Sequence, residues 1–214
     1  MKRSTALAIS LAIIAVTALY SAILYPNLPN PTPSHWNAEG KIDGYSSPLT
    51  MCLLMPGIMV ALLLLLVALP KMSPGRFKVD SWVRVYNVIM VLVLAMQGTL
   101  HFVILNATRT SATLSPKFML CVMFVFFAFL GNFIGQVRQN FWVGVRTPWT
   151  IANETVWNIV HRFAGRLWVV VGIVGAILTL FGLSFWISFG LLMAAAIFPT
   201  FHSYFVWREV EGNV

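Results

Sequence analysis

TMCLLMPGIMVALLLLLVAL, residues 50–69, holds no charged side chain over 20 positions. A hydrocarbon core about 30 Å thick is crossed by about 20 apolar helical residues, so this run spans a bilayer as a helix. Five further stretches read the same way, near 5–25, 83–105, 117–135, 167–184 and 186–205. Their apolar residues are continuous, without the alternation of a barrel strand. Across the 214 residues 59% are hydrophobic and 9% charged, which leaves too few polar groups to cover a soluble globule. The expected fold is an all-α integral membrane protein with six transmembrane helices.

Fixed positive charge sets the expected orientation. Lys2, Arg3, Lys71, Arg76, Lys78, Arg84, Arg138, Arg146, Arg162, Arg166 and Arg208 fall on one side, and only Lys41, Arg109 and Lys117 on the other. Both termini and the segment between helices four and five are therefore expected in the cytoplasm. The net charge of +8 is explained by this topology and by anionic lipid, without a nucleic-acid partner. The first apolar run is longer than a cleavable export signal and lacks a small-x-small cleavage site, so it reads as a signal anchor. Four parts follow: residues 1–69 (helix one, outer loop, helix two), 70–135 (helices three and four), 136–166 (a cytoplasmic loop) and 167–214 (helices five and six with a short tail).

Cys52 and Cys121 sit near the outer helix ends and read as packing residues, because their spacing matches no metal or redox motif. Asn106-Ala107-Thr108 has the form of a glycosylation acceptor, relevant only in a eukaryotic secretory pathway.

Two polar segments stand out. In the outer one, Pro26, Pro29, Pro31 and Pro33 make the chain extended and stiff, and HWNAEGKIDGY follows at 35–45. Gly40 and the Asp43-Gly44 pair read as turn formers that gather His35, Asn37, Glu39 and Asp43. A compact cap, in which Asn37, Asp43 and His35 bond turn amides, a divalent-metal site and a contact surface for an extracellular ligand all fit these residues; Trp36 would lie at headgroup level.

The inner segment runs from the end of helix four to Arg166. Gly131 and Gly135 flank Asn132 in a small-xxx-small pattern that allows close helix approach. Thr147-Pro148 and Asn153-Glu154 read as helix starts. Val156, Trp157, Val160, Phe163, Ala164 and Leu167 repeat at helical spacing, with Glu154, Asn158, His161, Arg162 and Arg166 opposite. That pattern predicts an amphipathic interfacial helix running into helix five, with Trp142, Trp149, Trp157 and Trp168 forming an aromatic belt. Its polar side chains suit either lipid phosphates or a docked cytosolic protein.

Chemistry inside the bilayer offers little to a catalyst: no Asp or Glu lies in any of the six spans and HExxH is absent. The reading is a non-enzyme without cofactor or metal. A small-solute transporter or channel is the alternative, because Asn87, Gln97 and His101 fall within about 80° of one another on a helical wheel, with Asn132 and His202 adding polarity elsewhere.

The outer HWNAEGKIDGY resembles the short extracellular module of a bacterial domain of unknown function. The inner GNFIGQVRQNFWVGVRTPWTIANETVWNIVHRFAGR, residues 131–166, resembles the signature of the SdpI-like immunity proteins. The resemblance implies a multipass bacterial plasma-membrane protein that protects against a secreted antimicrobial peptide or protein toxin, with a signalling role in which a cytosolic repressor is held at the membrane. It implies toxin sensing by the face with His35, Asn37, Gly40 and Asp43. Repressor docking would fall to Arg138, Asn140, Arg146, Thr147, Trp149, Trp157 and His161.

Overall fold

The computed structural model describes residues 1–77, 79–110 and 112–212, without the side chain of Arg76; Lys78 lies outside the described residues. Among them, six helices are long and apolar enough to cross a membrane. They are α1 (Arg3–Leu24), α2 (Pro48–Ala68), α3 (Val83–Arg109), α4 (Pro116–Ile134), α6 (Glu154–Leu180) and α7 (Phe185–Glu211), with the five-residue α5 (Pro148–Ala152) before α6. The expected spans are all present. Exposed Leu11, Leu19, Leu53, Leu64, Val170 and Phe205 leave apolar flanks bare, as hydrocarbon solvent allows.

The helices pack as two groups of three. In the first, α1, α2 and α3 meet around Ala6, Met59, Met90 and Leu94. In the second, α4 and α6 make the most intimate pair and α7 packs on α6. A larger core at one end joins both groups, bringing Trp82 and Tyr86 together with Trp157, Val160 and Trp168. Trp168 Nε1 donates to the Ala195 carbonyl at 2.9 Å, tying α6 to α7.

The α4–α6 seam depends on missing side chains. A Cβ on Gly131 would stand 2.7 Å from the Gly165 carbonyl oxygen, and a Cβ on Gly172 would stand 2.5 Å from that of Phe124. The small-residue reading of Gly131 is thus satisfied by Gly165 on α6, which lets the two backbones touch. Asn132 beside Gly131 faces outward, its Nδ2 donating to the Ala128 carbonyl one turn earlier on α4 at 2.8 Å.

One expectation is corrected: the extended loop between α1 and α2 pairs with itself as an antiparallel hairpin, β1 (Thr32–Trp36) and β2 (Ile42–Ser46), so the fold is mostly but not purely α. Pro31 immediately precedes β1 and Pro33 lies within it, on a two-stranded sheet where a missing N–H is tolerated, while Pro26 and Pro29 lie in the chain leading to it. Residues 154–166 run without a break into the fifth span, as expected, and form the first half of the 27-residue α6; Val156, Trp157, Val160 and Ala164 are buried against α4 and the core.

Candidate functional site

The inner motif forms a tightly bonded loop closing one end of the bundle. Asn140 is its hub and is fully buried. Its Nδ2 donates to the Arg138 and Val143 carbonyls at 2.8 and 3.0 Å. Its Oδ1 accepts from the Trp142 and Val143 amides at 2.7 and 2.8 Å. All four bonding positions of the amide are used, so the side chain stabilises the turn and offers nothing to solvent.

His161 closes the other side of the loop. Its Nε2 accepts from the Val145 N–H at 2.9 Å and its Nδ1 donates to the Trp157 carbonyl at 2.8 Å, which assigns the neutral Nδ1-H tautomer. The ring stacks on Trp157 at 3.9 Å, and Trp157 Nε1 donates to the Val137 carbonyl at 2.7 Å. Gly144 lies over the imidazole with φ of 121°, and a Cβ there would collide with His161 Nε2.

The predicted caps are in place. Thr147 caps α5 in a capping box with Thr150, and Asn153 Oδ1 accepts from Thr155 N and Val156 N at the start of α6. Thr147 also meets Ser203 of α7 at 3.0 Å, and Gln139 Nε2 donates to the Thr150 carbonyl at 2.8 Å. Trp142 Nε1 donates to Ser73 Oγ at 2.7 Å, linking the loop to the α2–α3 connection.

This geometry divides the expected docking residues. Asn140, Thr147, Trp157 and His161 are buried and hold the loop together, so they are unavailable to a partner; His161 belongs to the apolar side of α6, not the polar side. Trp157 and Trp168 are core residues and no part of an aromatic belt. Arg138 and Arg146 are exposed, the latter donating to the Phe141 carbonyl at 2.6 Å. Trp149 is half-buried against Tyr204 and Trp207. Gln139, Gly144, Thr150 and Ser203 complete the bonded loop, and of these only Gly144, as a turn-former, carries a local signal in the sequence.

The hairpin end is simpler. The turn is Asn37–Gly40: Asn37 Oδ1 accepts from the Glu39 and Lys41 amides at 3.1 and 3.0 Å, and Gly40 adopts φ of 77°. Asp43 and Gly44 lie in β2, not in a turn. Asp43 accepts from His35 Nδ1, and Gly44 sits opposite His35, where a Cβ would stand 2.9 Å from the His35 Cβ. His35, Glu39 and Asp43 are exposed, and no group of three or more metal-ligating side chains forms among the described residues.

Thr108 Oγ1 donates to the Pro33 carbonyl at 3.1 Å and Trp36 Nε1 to that of Ala112 at 3.3 Å, so the hairpin is seated on the α3–α4 connection. Gly40 is pressed against the Leu114 carbonyl oxygen. Gly40→Ala is expected to lift the turn off this seat, at about 1–3 kcal/mol of local strain, and to speed proteolysis within 36–42 while leaving the helices intact. Unchanged cleavage rates would contradict that seating. Beneath the hairpin opens a cavity of about 580 Å³, lined by His35, Trp36 and Asn37 above and by Leu100, Met119 and Trp186 among its apolar walls.

The intramembrane polar residues do not form a continuous path. Asn87 Nδ2 donates to the Met1 carbonyl at 3.2 Å, and His101 Nε2 pairs with Ser21 Oγ at 2.7 Å. Gln97 makes no hydrogen bond through its buried Oε1, and Asn132 lies on another helix. His202 contacts Phe163 at 4.3 Å between ring centres. Cys52 and Cys121 are free thiols that donate to the Ser21 and Ala176 carbonyls.

A bundle of six spanning helices, a bonded polar loop at one end and a hairpin over a cavity at the other define a multipass membrane protein. Residues 136–203 match the SdpI/YfhL protein family and residues 12–60 a domain of unknown function, DUF1648. The chain is 28% identical to the Immunity protein SdpI of Bacillus subtilis (strain 168) over 207 residues, 96% of this chain and 97% of that relative. No solved structure matches. The chain is thus similar to the SdpI-like family in both modules and is a multipass protein of the bacterial cell membrane.

Proposed function

We propose that this protein is an immunity protein that protects its cell from a secreted antimicrobial peptide or protein toxin. The observation that carries this reading is the end-to-end similarity to an immunity protein, through both the hairpin-bearing module and the bonded loop. Toxin engages the outer hairpin and the apolar cavity beneath it, where Trp36 and Asn37 supply a polar lip to walls that suit a hydrophobic peptide. The polar loop faces the cytoplasm, as the basic residues direct. There the accessible Arg138, Arg146 and Trp149 recruit a cytosolic repressor, while Asn140, Thr147, Trp157 and His161 act on that surface by positioning it. Toxin binding shifts the bundle between two arrangements only to the extent that it favours one of them.

Survival under toxin and repressor recruitment separate the two halves of this reading. Trp36→Ala is expected to lower survival, and Arg146→Ala to lower recruitment with survival near wild type. Both variants matching wild type in both assays, at equal membrane levels, would overturn the proposal.

A further inference from the structure

Arg162 and Arg166 stand one turn apart on the outward side of α6, over a depression of about 360 Å³ that Gly131, Gly135 and Gly165 leave between α4 and α6. A second hollow of about 280 Å³ adjoins it, shared by Arg162 and Arg138. Among the described residues neither Arg162 nor Arg166 forms an ion pair; Glu154 pairs at 4.0 Å with Arg138 instead. The amide nitrogens of Asn132 and Gln136 are engaged by backbone carbonyls, so the positive character of the cleft belongs to the arginines. From Arg166 the same side of α6 continues through Val170, Ile173 and Ile177, all exposed.

We propose that this cleft is a binding site for an anionic phospholipid, its headgroup phosphate held by Arg162 and Arg166 and an acyl chain lying along Val170, Ile173 and Ile177. Two features select this occupant. Paired guanidinium groups without a carboxylate partner match a phosphate, which accepts the forked donors of arginine. An apolar track leading directly from them matches a molecule with a hydrocarbon tail, which free phosphate lacks. The glycines make room for the headgroup between two helices whose backbones already touch. The site concerns the bilayer flank of α6 and is independent of the toxin and repressor readings.

The test is lipid retention by the full chain, purified in a zwitterionic detergent and titrated with phosphatidylglycerol or phosphatidylcholine, with bound lipid counted by native mass spectrometry. Wild type is expected to retain phosphatidylglycerol about tenfold better than phosphatidylcholine, as two surface cations warrant. The R162Q/R166Q variant is expected to lose that preference, and R162K/R166K to keep part of it. Inorganic phosphate at millimolar concentration is expected to displace little lipid. Equal retention of the two lipids by wild type would overturn the site, and it decides the matter even if the glutamine variant fails to fold. So would an undiminished preference in a folded R162Q/R166Q variant, or displacement by phosphate alone, which would mark a simple anion site.

Discussion

The Gly144→Ala variant is expected to lose about 3 kcal/mol or more of stability, read as a lowered thermal midpoint in detergent. Two effects act together. A φ of 121° lies in a region that L side chains rarely adopt, and the new methyl would collide with His161 Nε2. Moving the ring forfeits the bond from the Val145 amide and disturbs the stack on Trp157, which itself holds the Val137 carbonyl. A double-mutant cycle distinguishes the ring contact from pure backbone strain. If the collision matters, Gly144→Ala in a His161→Ala background will cost less than it does alone, because the obstructing ring is gone. Strict additivity would show that Gly144 and His161 do not act as a unit.

Leucine substitution at Gly165 should separate α4 from α6. A Cβ at Gly165 already stands 2.8 Å from the Gly131 carbonyl oxygen, with the Gly135 amide nitrogen at 3.4 Å, so a branched side chain cannot enter without parting the helices. Overpacking of this kind costs about 1–3 kcal/mol where the structure can yield, and more where backbone opposes backbone. Insertion should survive, because the six spans keep their apolar length. The expected signature is a protein present in the membrane at normal level yet melting far lower and more easily digested within 136–150. Gly190→Ala provides the control: nothing lies within 4 Å of that position, and alanine suits a helix interior better than glycine. Similar losses at 165 and 190 would refute the close-packed seam.

These two glycines also explain how the accessible arginines of the motif are displayed. The loop has its own bonded framework in Asn140, Thr147 and Thr150, but its attachment to α6 runs through His161 and Trp157, and α6 is placed by the glycine seam. Arg146 follows Val145 directly, so whatever shifts His161 shifts the arginine that the proposed docking surface uses. A change of helix packing at the seam is therefore felt at the loop surface through the stacked rings of His161 and Trp157.

The primary sequence by itself determined the six spans, since unbroken apolar length is a property of composition and needs no neighbour to be read. It also determined the start signals at Thr147-Pro148 and Asn153-Glu154 and the turn at Gly40, because caps and turns bond within a few residues. Tertiary structure alone decided that Asn140, Trp157 and His161 lie inside and that the cavity beneath the hairpin has walls from α3, α4 and α7. The reason is separation along the chain. A helical repeat scores His161 as polar and sets it with the arginines, yet its partner is the Val145 amide, 16 residues earlier. Once that bond forms, an imidazole is as much at home in the core as the indole stacked on it.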